Sequence, residues 1–161
     1  MARMLLIARK LFDVTWLGLQ QRSQGSQETA CVWLGDQDAE RETATEVVFL
    51  DDLPGTVGRR LHHRTSREAV RILIDRAREL GLTIVGDVHT HPGPWVDLSE
   101  VDRAHPIEYR IGLLALVFPT FAEGPPRLDG VGVHEYLGSG EWRTFEGEDV
   151  ASRLALEEDE S

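Results

Sequence analysis

The sequence predicts a mixed α/β fold, an α+β sandwich in which a central mixed β-sheet is flanked by helices. Short apolar segments bounded by glycine or proline indicate several strands. One amphipathic segment with a three- and four-residue repeat indicates a long helix. Helices and strands do not alternate regularly, which favours a sandwich over a doubly wound nucleotide-binding fold. In agreement, no predicted strand is followed by a glycine-rich phosphate-binding loop.

The N-terminal half is predicted to contain a helix and two strands. Residues 4–19 are mostly apolar and predict a helix, with space for a short strand before it. A polar segment with one glycine follows and predicts a loop. The elements predicted here are, in order, the helix within residues 4–19, a loop at 20–27, a strand at 28–35, a turn at 37–45, a strand at 46–50 and a loop at 51–58.

The clearest helix begins at a T-x-x-E capping box formed by Thr65 and Glu68. Gly81 stands where a helix C-terminus favours a positive φ. The apolar side chains between them recur on one face, at Val70, Leu73, Ala77 and Leu80. The elements predicted after this helix are a strand at 83–88, a helix starting at 99–102, a buried central strand at 111–118, a hairpin of 131–137 and 141–145, and a short helix at 148–156.

Length and charge restrict the class of protein. The chain has 161 residues, 41% of them hydrophobic, which fits one globular domain over residues 1–156 with an acidic tail over 157–161. The formal net charge of -11 argues against nucleic acid and against an anionic membrane surface as partners. No sequence segment is long and apolar enough to suggest a membrane span.

The single cysteine indicates a reducing compartment. Cys31 cannot form an intrachain disulfide, and its apolar neighbours predict a buried structural thiol, not a nucleophile. The apolar stretch at residues 4–8 is too short for a secretion signal and is followed by Arg9 and Lys10. We therefore expect a cytoplasmic protein.

The informative chemistry lies between residues 86 and 102. His89 and His91 are two apart at the end of a predicted strand, so their side chains share one face of the sheet. Asp102 lies in the first turn of the next predicted helix and can reach back toward them. Two histidines and one carboxylate leave a fourth tetrahedral position open for water, as in catalytic zinc sites. Zinc would lower the pKa of that water and so favour hydrolysis.

Other residues compete with this interpretation. His105 and the pair His62 and His63 are further sources of imidazole ligands, although histidines in polar loops are mostly plain surface residues. The S-x-x-D pattern of Ser99 and Asp102 is also a helix-capping signal. Capping and metal binding are compatible, because a cap would hold Asp102 in place.

The segment from His89 to Asp102 resembles the JAMM motif H-x-H-P-x6-S-x2-D of the JAMM/MPN metalloproteases, without gap or insertion. Family members also have a glutamate on an early strand ahead of an apolar run ending in glycine, and the segment from Glu28 to Gly35 is similar to it. The resemblance covers roughly residues 9–137. Two departures are Cys31, where many members have glycine, and Thr90, where serine is common.

The resemblance implies an MPN or cytidine-deaminase-like sandwich that binds one Zn²⁺ per chain. His89, His91 and Asp102 would be the zinc ligands, and Glu28 would be the general acid/base. Ser99 would donate a hydrogen bond to the oxyanion of the tetrahedral intermediate. Other glutamates lie upstream, but Glu28 is preferred because it begins the apolar run; the alternatives are Glu40, Glu42 and Glu46.

Three functions remain open at the level of sequence. The first is a zinc-dependent isopeptidase or peptidase that cleaves after the C-terminus of a ubiquitin-like protein, either in conjugates or in precursors. The second is a hydrolase of amino-acid adducts of a sulfur-carrier protein, and the third is a scaffold or binding module without turnover. Trp95, in a loop rich in proline and glycine near the predicted metal, is either a substrate contact or a packed loop aromatic.

Overall fold

The computed structural model describes residues 3–58 and 63–158. The predicted mixed α+β fold is confirmed, with most strands in one large sheet. The strands are β1 Met4–Ala8, β2 Ala30–Gln37, β3 Arg41–Phe49, β4 Val57–Gly58, β5 His63–Arg64, β6 Thr83–Thr90, β7 Leu114–Phe118, β8 Gly132–Gly138, β9 Glu141–Phe145 and β10 Leu154–Glu157. The helices are α1 Arg9–Ser23, α2 Arg67–Leu80 and α3 Glu100–Ala104.

The large sheet has eight strands in the order β10-β1-β3-β2-β6-β7-β8-β9. The pairs β10–β1, β1–β3 and β6–β7 are parallel, and the remaining neighbours are antiparallel. β4 and β5 form a separate two-stranded hairpin. β6 therefore lies in the interior of the sheet, between β2 and β7, and its C-terminal end carries the predicted histidines.

Two helices cover opposite faces of the sheet around β2. Cys31 and Trp33 pack with the buried side chains of α1, whereas Val32 lies in a second cluster with Leu73 of α2. Successive side chains of a strand point to opposite faces, so this alternation places α1 and α2 on the two sides of β2. The burial of Cys31 confirms the predicted structural thiol, and burial raises the pKa of that thiol.

The predicted capping box at Thr65 is wrong by one residue. Ser66 is the N-cap of α2, and its hydroxyl accepts a hydrogen bond from the Ala69 backbone N–H at 3.0 Å. The predicted stop at Gly81 is confirmed, since its backbone N–H closes the helix onto the Ala77 and Arg78 carbonyls.

Polar side chains with buried partners explain two wrong boundaries. The predicted loop at 20–27 begins too early, because Gln20 continues α1 and donates to the Ala122 carbonyl at 2.8 Å. The predicted turn at 37–45 overlaps β3, because Glu42 is 2% exposed and accepts from Arg110 at 3.1 Å. β2 is also displaced from the predicted 28–35, and it begins at Ala30.

The predicted helix at 148–156 is wrong. A 3-10 turn at Gly147–Ser152 is followed by β10, which pairs in parallel with β1 at the far edge of the sheet. Glu157 ends this strand, and Glu158 accepts a hydrogen bond from Arg9 at 3.0 Å. Residues 159–161 lie outside the described residues, so the division into a domain at 1–156 and a tail at 157–161 stays a prediction.

Two further segments differ in extent from their predictions, and a third has the predicted pairing. The buried strand predicted at 111–118 begins at Leu114, because Gly112 has a φ of 96° and Ile111 is 68% exposed. The loop predicted at 51–58 ends in β4. The predicted hairpin around residue 139 is confirmed by the pairing of β8 with β9.

Candidate metal centre

His89 and His91 lie at the C-terminal end of β6, which runs two residues further than predicted. Their rings are 4.9 Å apart between centroids, on the face of the sheet that also carries Asp87. Thr90 points to the other face, where its hydroxyl accepts from the Thr29 backbone N–H at 2.9 Å. This buried contact ties the histidine pair to the segment that leads into β2.

Asp102 reaches the histidines from the first turn of α3. Ser99 caps this helix, and the predicted S-x-x-D capping box is confirmed in both directions. The Ser99 hydroxyl accepts from the Asp102 N–H at 3.1 Å, and Oδ2 of Asp102 accepts from the Ser99 N–H at 2.9 Å. The same Oδ2 lies 3.2 Å from Nε2 of His89 and 3.3 Å from Nε2 of His91.

The three side chains fit a metal ion. The two Nε2 atoms are 3.2 Å apart, so with Oδ2 of Asp102 they form a nearly equilateral triangle. A tetrahedral zinc site with bonds of about 2.0–2.1 Å separates its ligands by about 3.3 Å. Imidazole nitrogen and carboxylate oxygen are also donors that zinc accepts. Within residues 3–58 and 63–158, His89, His91 and Asp102 form the group that could hold a metal ion.

Negative charge is concentrated around this triangle. Burial opposes the charged form of His89, but the hydrogen bond and charge of Asp102 outweigh it and raise the pKa of His89, with contributions from Asp87 and Glu28. Burial likewise opposes ionisation of Asp102, whereas the two histidines hold its pKa well below the usual value. An excess of carboxylates around buried imidazoles is the environment that stabilises a bound cation.

Trp95 holds His91 from the side away from the triangle. Its backbone carbonyl lies 3.0 Å from Nδ1 of His91, which leaves Nε2 facing the other donors. Its indole stacks on the same imidazole, with 5.1 Å between centroids and 11° between planes, and is 54% exposed. Trp95 is thus both a packed loop aromatic and an exposed surface beside the donors, and its contact with substrate stays a prediction.

Glu28 is buried two residues before β2, with 5% of its surface exposed. Ala30 pairs with His89, and the charge of Glu28 contributes to the raised pKa of that imidazole, so Glu28 is within electrostatic reach of the donor group. The alternative glutamates are elsewhere: Glu40 is exposed just before β3, Glu42 pairs with Arg110, and Glu46 lies 3.5 Å from Arg76. The geometry leaves Glu28 as the upstream glutamate near the triangle; its role in catalysis stays a prediction.

Of the competing histidines, His105 follows α3, is exposed and is not part of the donor group. The backbone of His63 lies in β5. His62 lies outside the described residues.

The sequence interpretation did not identify His134, which supports the metal-site loop. This residue of β8 is 1% exposed, and its Nε2 lies 2.8 Å from the Val96 carbonyl oxygen. Gly132 lies against the same carbonyl, and a Cβ at this position would overlap the oxygen. A histidine inside a predicted strand was the available signal, because a buried imidazole needs partners for both ring nitrogens.

No helix in the described part of the chain combines the length and the apolar character needed to cross a lipid bilayer.

Known proteins share this fold. The family model of prokaryotic homologs of the JAB domain matches residues 17–118, more than half of the chain. The solution structure of protein DSY2949 from Desulfitobacterium hafniense is 15% identical with a TM-score of 0.69, over 97% of this chain and 94% of that one. AF2198, a JAB1/MPN domain protein from Archaeoglobus fulgidus, is 18% identical with a TM-score of 0.51, over 94% and 98% of the two chains. The two solved structures support the fold, and the region matched by the family model includes His89, His91 and Asp102. Because that match covers more than half of the chain, the chain belongs to the family of prokaryotic JAB-domain proteins.

Proposed function

We propose that this protein is a zinc-dependent peptidase or isopeptidase that cleaves the bond after the C-terminus of a ubiquitin-like protein. The observation that carries the proposal is the convergence of His89, His91 and Asp102 on one point, with the buried Glu28 close enough for its charge to act on His89. Metalloisopeptidases are common in the JAB family, which supports the reaction class. The substrate is inferred from the family resemblance.

Each side chain has a distinct task in this proposal. Zn²⁺ bound by the three donors would act as a Lewis acid and lower the pKa of a water molecule. Glu28 takes a proton from the attacking water and returns it to the leaving amine. This proton transfer needs a carboxylate that does not ligate the metal. The Ser99 hydroxyl accepts the Asp102 N–H, so its own hydrogen can still be donated to a developing oxyanion.

Ser99, through the capping box, and Trp95 position two of the metal donors. The capping box fixes the Asp102 carboxylate relative to α3, so that its Oδ2 faces both imidazoles. The Trp95 carbonyl and indole together fix the plane of His91. Such outer contacts orient metal ligands and raise metal affinity.

The test uses the full chain loaded with zinc and ubiquitin-like proteins from the source genome. One set of substrates carries a lysine-linked peptide at the C-terminus, and a second set carries a single amino acid. Mass spectrometry should show cleavage after the last residue of the ubiquitin-like protein in the first set, and Glu28→Gln should abolish it. Cleavage of the second set alone would favour a hydrolase of sulfur-carrier adducts. Cleavage of neither by a zinc-loaded chain would favour a scaffold.

A further inference from the structure

A left-handed turn comes after β7 and lies against the metal-binding segment. Its three residues, Thr120, Phe121 and Ala122, have φ angles of 51°, 52° and 56°. A positive φ is unfavourable for most side chains, and most of all for β-branched or bulky ones such as those of Thr120 and Phe121. In the described part of the chain, the other non-glycine residues with positive φ are isolated: Gln24 at the end of α1 and Ser139 in the β8–β9 hairpin. Three such residues in succession persist only when their neighbours compensate for the strain.

The left-handed turn holds the backbone of His91. β6 ends one residue before His91, so this histidine lies just beyond the regular strand. The His91 N–H donates to the Phe118 carbonyl at 3.0 Å, and the His91 carbonyl accepts from the Phe121 N–H at 2.8 Å. The Thr120 N–H donates to the carbonyl of Gly93 at 2.9 Å. The turn therefore continues the pairing that β7 begins, and it fixes the backbone from which the His91 imidazole extends.

The curled backbone of the turn is what makes both contacts possible. In an extended strand the N–H groups of successive residues point to opposite sides, whereas in a tight turn they can point to the same side. Thr120 and Phe121 are successive residues, and both donate to the metal-binding segment. The strained conformation thus has a specific result, which is that two neighbouring N–H groups hold one short segment.

Helix α1 holds the left-handed turn from another direction. Nε2 of Gln20 donates to the carbonyl oxygen of Ala122 at 2.8 Å and to that of Gly124 at 2.9 Å. The hydroxyl of Ser23, a residue that is 1% exposed, lies 3.4 Å from the Phe121 carbonyl oxygen. Two carbonyls of the turn therefore contact α1, while two of its N–H groups contact the metal-binding segment.

We propose that Gln20 is a positioning residue of the metal centre, which acts on His91 through the left-handed turn. The two hydrogen bonds of Gln20 offset the strain of the turn, and the turn fixes the His91 backbone before a metal binds. Gln20 itself is not part of the donor group. The inference rests on the zinc centre of the proposed function, and it does not depend on which substrate is cleaved.

Competition for zinc with a chromophoric chelator measures the effect on the metal. Gln20→Met keeps the length of the side chain but removes the amide donor, so the Kd for zinc should rise by about tenfold. Gln21→Met makes the same change at the next residue of α1, which is exposed, and should leave the Kd unchanged. Equal zinc affinity in the two variants would overturn the proposal.

Relief of the strain separates positioning from general stability. Asparagine tolerates a positive φ better than threonine does, so Thr120→Asn should make the turn less dependent on Gln20. Added to Gln20→Met, it should restore most of the lost zinc affinity. Ser139→Asn changes another residue of positive φ, with a φ of 53°, in the β8–β9 hairpin, and it should not restore zinc binding. Equal restoration by both would mean that Gln20 acts through the stability of the whole fold, which would overturn the proposal.

Amide hydrogen exchange of the metal-free protein, followed by NMR, tests the turn without zinc. The Thr120 and Phe121 amides should exchange at least about tenfold faster in Gln20→Met, because the turn that holds them opens more often. The amide of Leu116, in the middle of β7, should exchange as in the wild type. Unchanged exchange in the turn, or equally faster exchange at Leu116, would overturn the proposal.

Zinc binding and cleavage together distinguish failure of this inference from failure of the hydrolase proposal. Zinc affinity that depends on Gln20, without cleavage of any substrate, would retain the positioning role and reject the hydrolase. Cleavage by a chain whose zinc affinity does not change in Gln20→Met would retain the hydrolase and reject the positioning role. A wild type that binds no zinc would reject both.

Discussion

The carbonyl oxygen of Trp95 lies 3.0 Å from Nδ1 of His91, and the Trp95 indole stacks on the same imidazole with 5.1 Å between centroids. One exposed loop residue therefore fixes the plane of the His91 imidazole and leaves its Nε2 as the nitrogen that faces the other candidate donors. Because the carbonyl belongs to the backbone, replacement of the side chain separates these two contributions.

Trp95→Ala tests the exposed indole as a substrate contact. The backbone carbonyl that holds His91 remains, so the zinc content should stay near one per chain. The loss of a large aromatic surface beside the donors should raise KM while kcat changes little. Steady-state kinetics with Trp95→Phe as the conservative control check this. An unchanged KM would leave Trp95 as a packed loop aromatic.

His91→Ala tests the donor group. Removal of one of three protein ligands should reduce bound zinc from about one per chain to a small fraction. Elemental analysis of the purified protein measures this, with the exposed His105→Ala as the matched control. Full zinc content in His91→Ala would contradict the assignment of the ligands, and no zinc in the wild type after supplementation would contradict the metal site itself.

Glu28→Gln tests the proton-transfer group. The amide keeps the volume of the side chain but cannot accept a proton, so kcat should fall by roughly 10² or more while zinc stays bound. Glu46→Gln is a suitable control, since this residue pairs with Arg76 away from the donor group. Full activity of Glu28→Gln would show that another group moves the proton.

Ser99→Ala tests two roles of one hydroxyl. Loss of the N-cap contact to Asp102 should destabilise the protein by about 0.5–2 kcal/mol. Loss of a donor to the oxyanion should lower kcat by roughly 10²–10³. Ser99→Asp restores a cap without a hydroxyl donor, so it should recover thermal stability but not kcat. Recovery of both would reduce Ser99 to a capping residue.

His134 predicts a dependence of stability on pH. Burial lowers the pKa of His134 below that of an exposed histidine, while the charges of Asp97, His89 and Arg103 act on it in both directions. The unfolded chain therefore binds a proton on His134 more readily than the folded chain does. The free energy that neutral His134 contributes to stability is fully present above about pH 6.5 and is lost as the pH falls. Urea unfolding of zinc-loaded protein at pH 8 and pH 5.5 should show a smaller change in His134→Gln than in the wild type. The exposed His105→Gln should behave as the wild type.

The candidate metal site could be predicted from sequence because its signal is local. His89, His91, Ser99 and Asp102 lie within fourteen residues, and their spacing alone places them on one strand end and one helix start. The separation of His134 from this segment along the chain is the reason that its contact with Val96 could not be predicted. Its partner is defined by the pairing of β7 with β8 and not by any nearby residue.

The wrong element boundaries have a related cause. Glu42 and Gln20 are polar, and a polar segment predicts a turn or loop unless buried partners are known. β10 was mistaken for a helix because its pairing partner lies in β1, at the opposite end of the sequence. The boundaries of α1, β3 and β10 are therefore determined by long-range contacts that form only in the folded protein.

The parallel pairing of β10 with β1 has a consequence for synthesis on the ribosome. Leu5 is synthesised long before its neighbour Leu154, because 148 residues lie between them in the sequence. A nascent chain that already contains His89, His91 and Asp102 still has one bare edge on β1, where a wrong strand can pair. Completion of the sheet therefore waits for residues 154–157, and contacts of such long range fold slowly. Chaperone binding during translation would be most valuable in that interval.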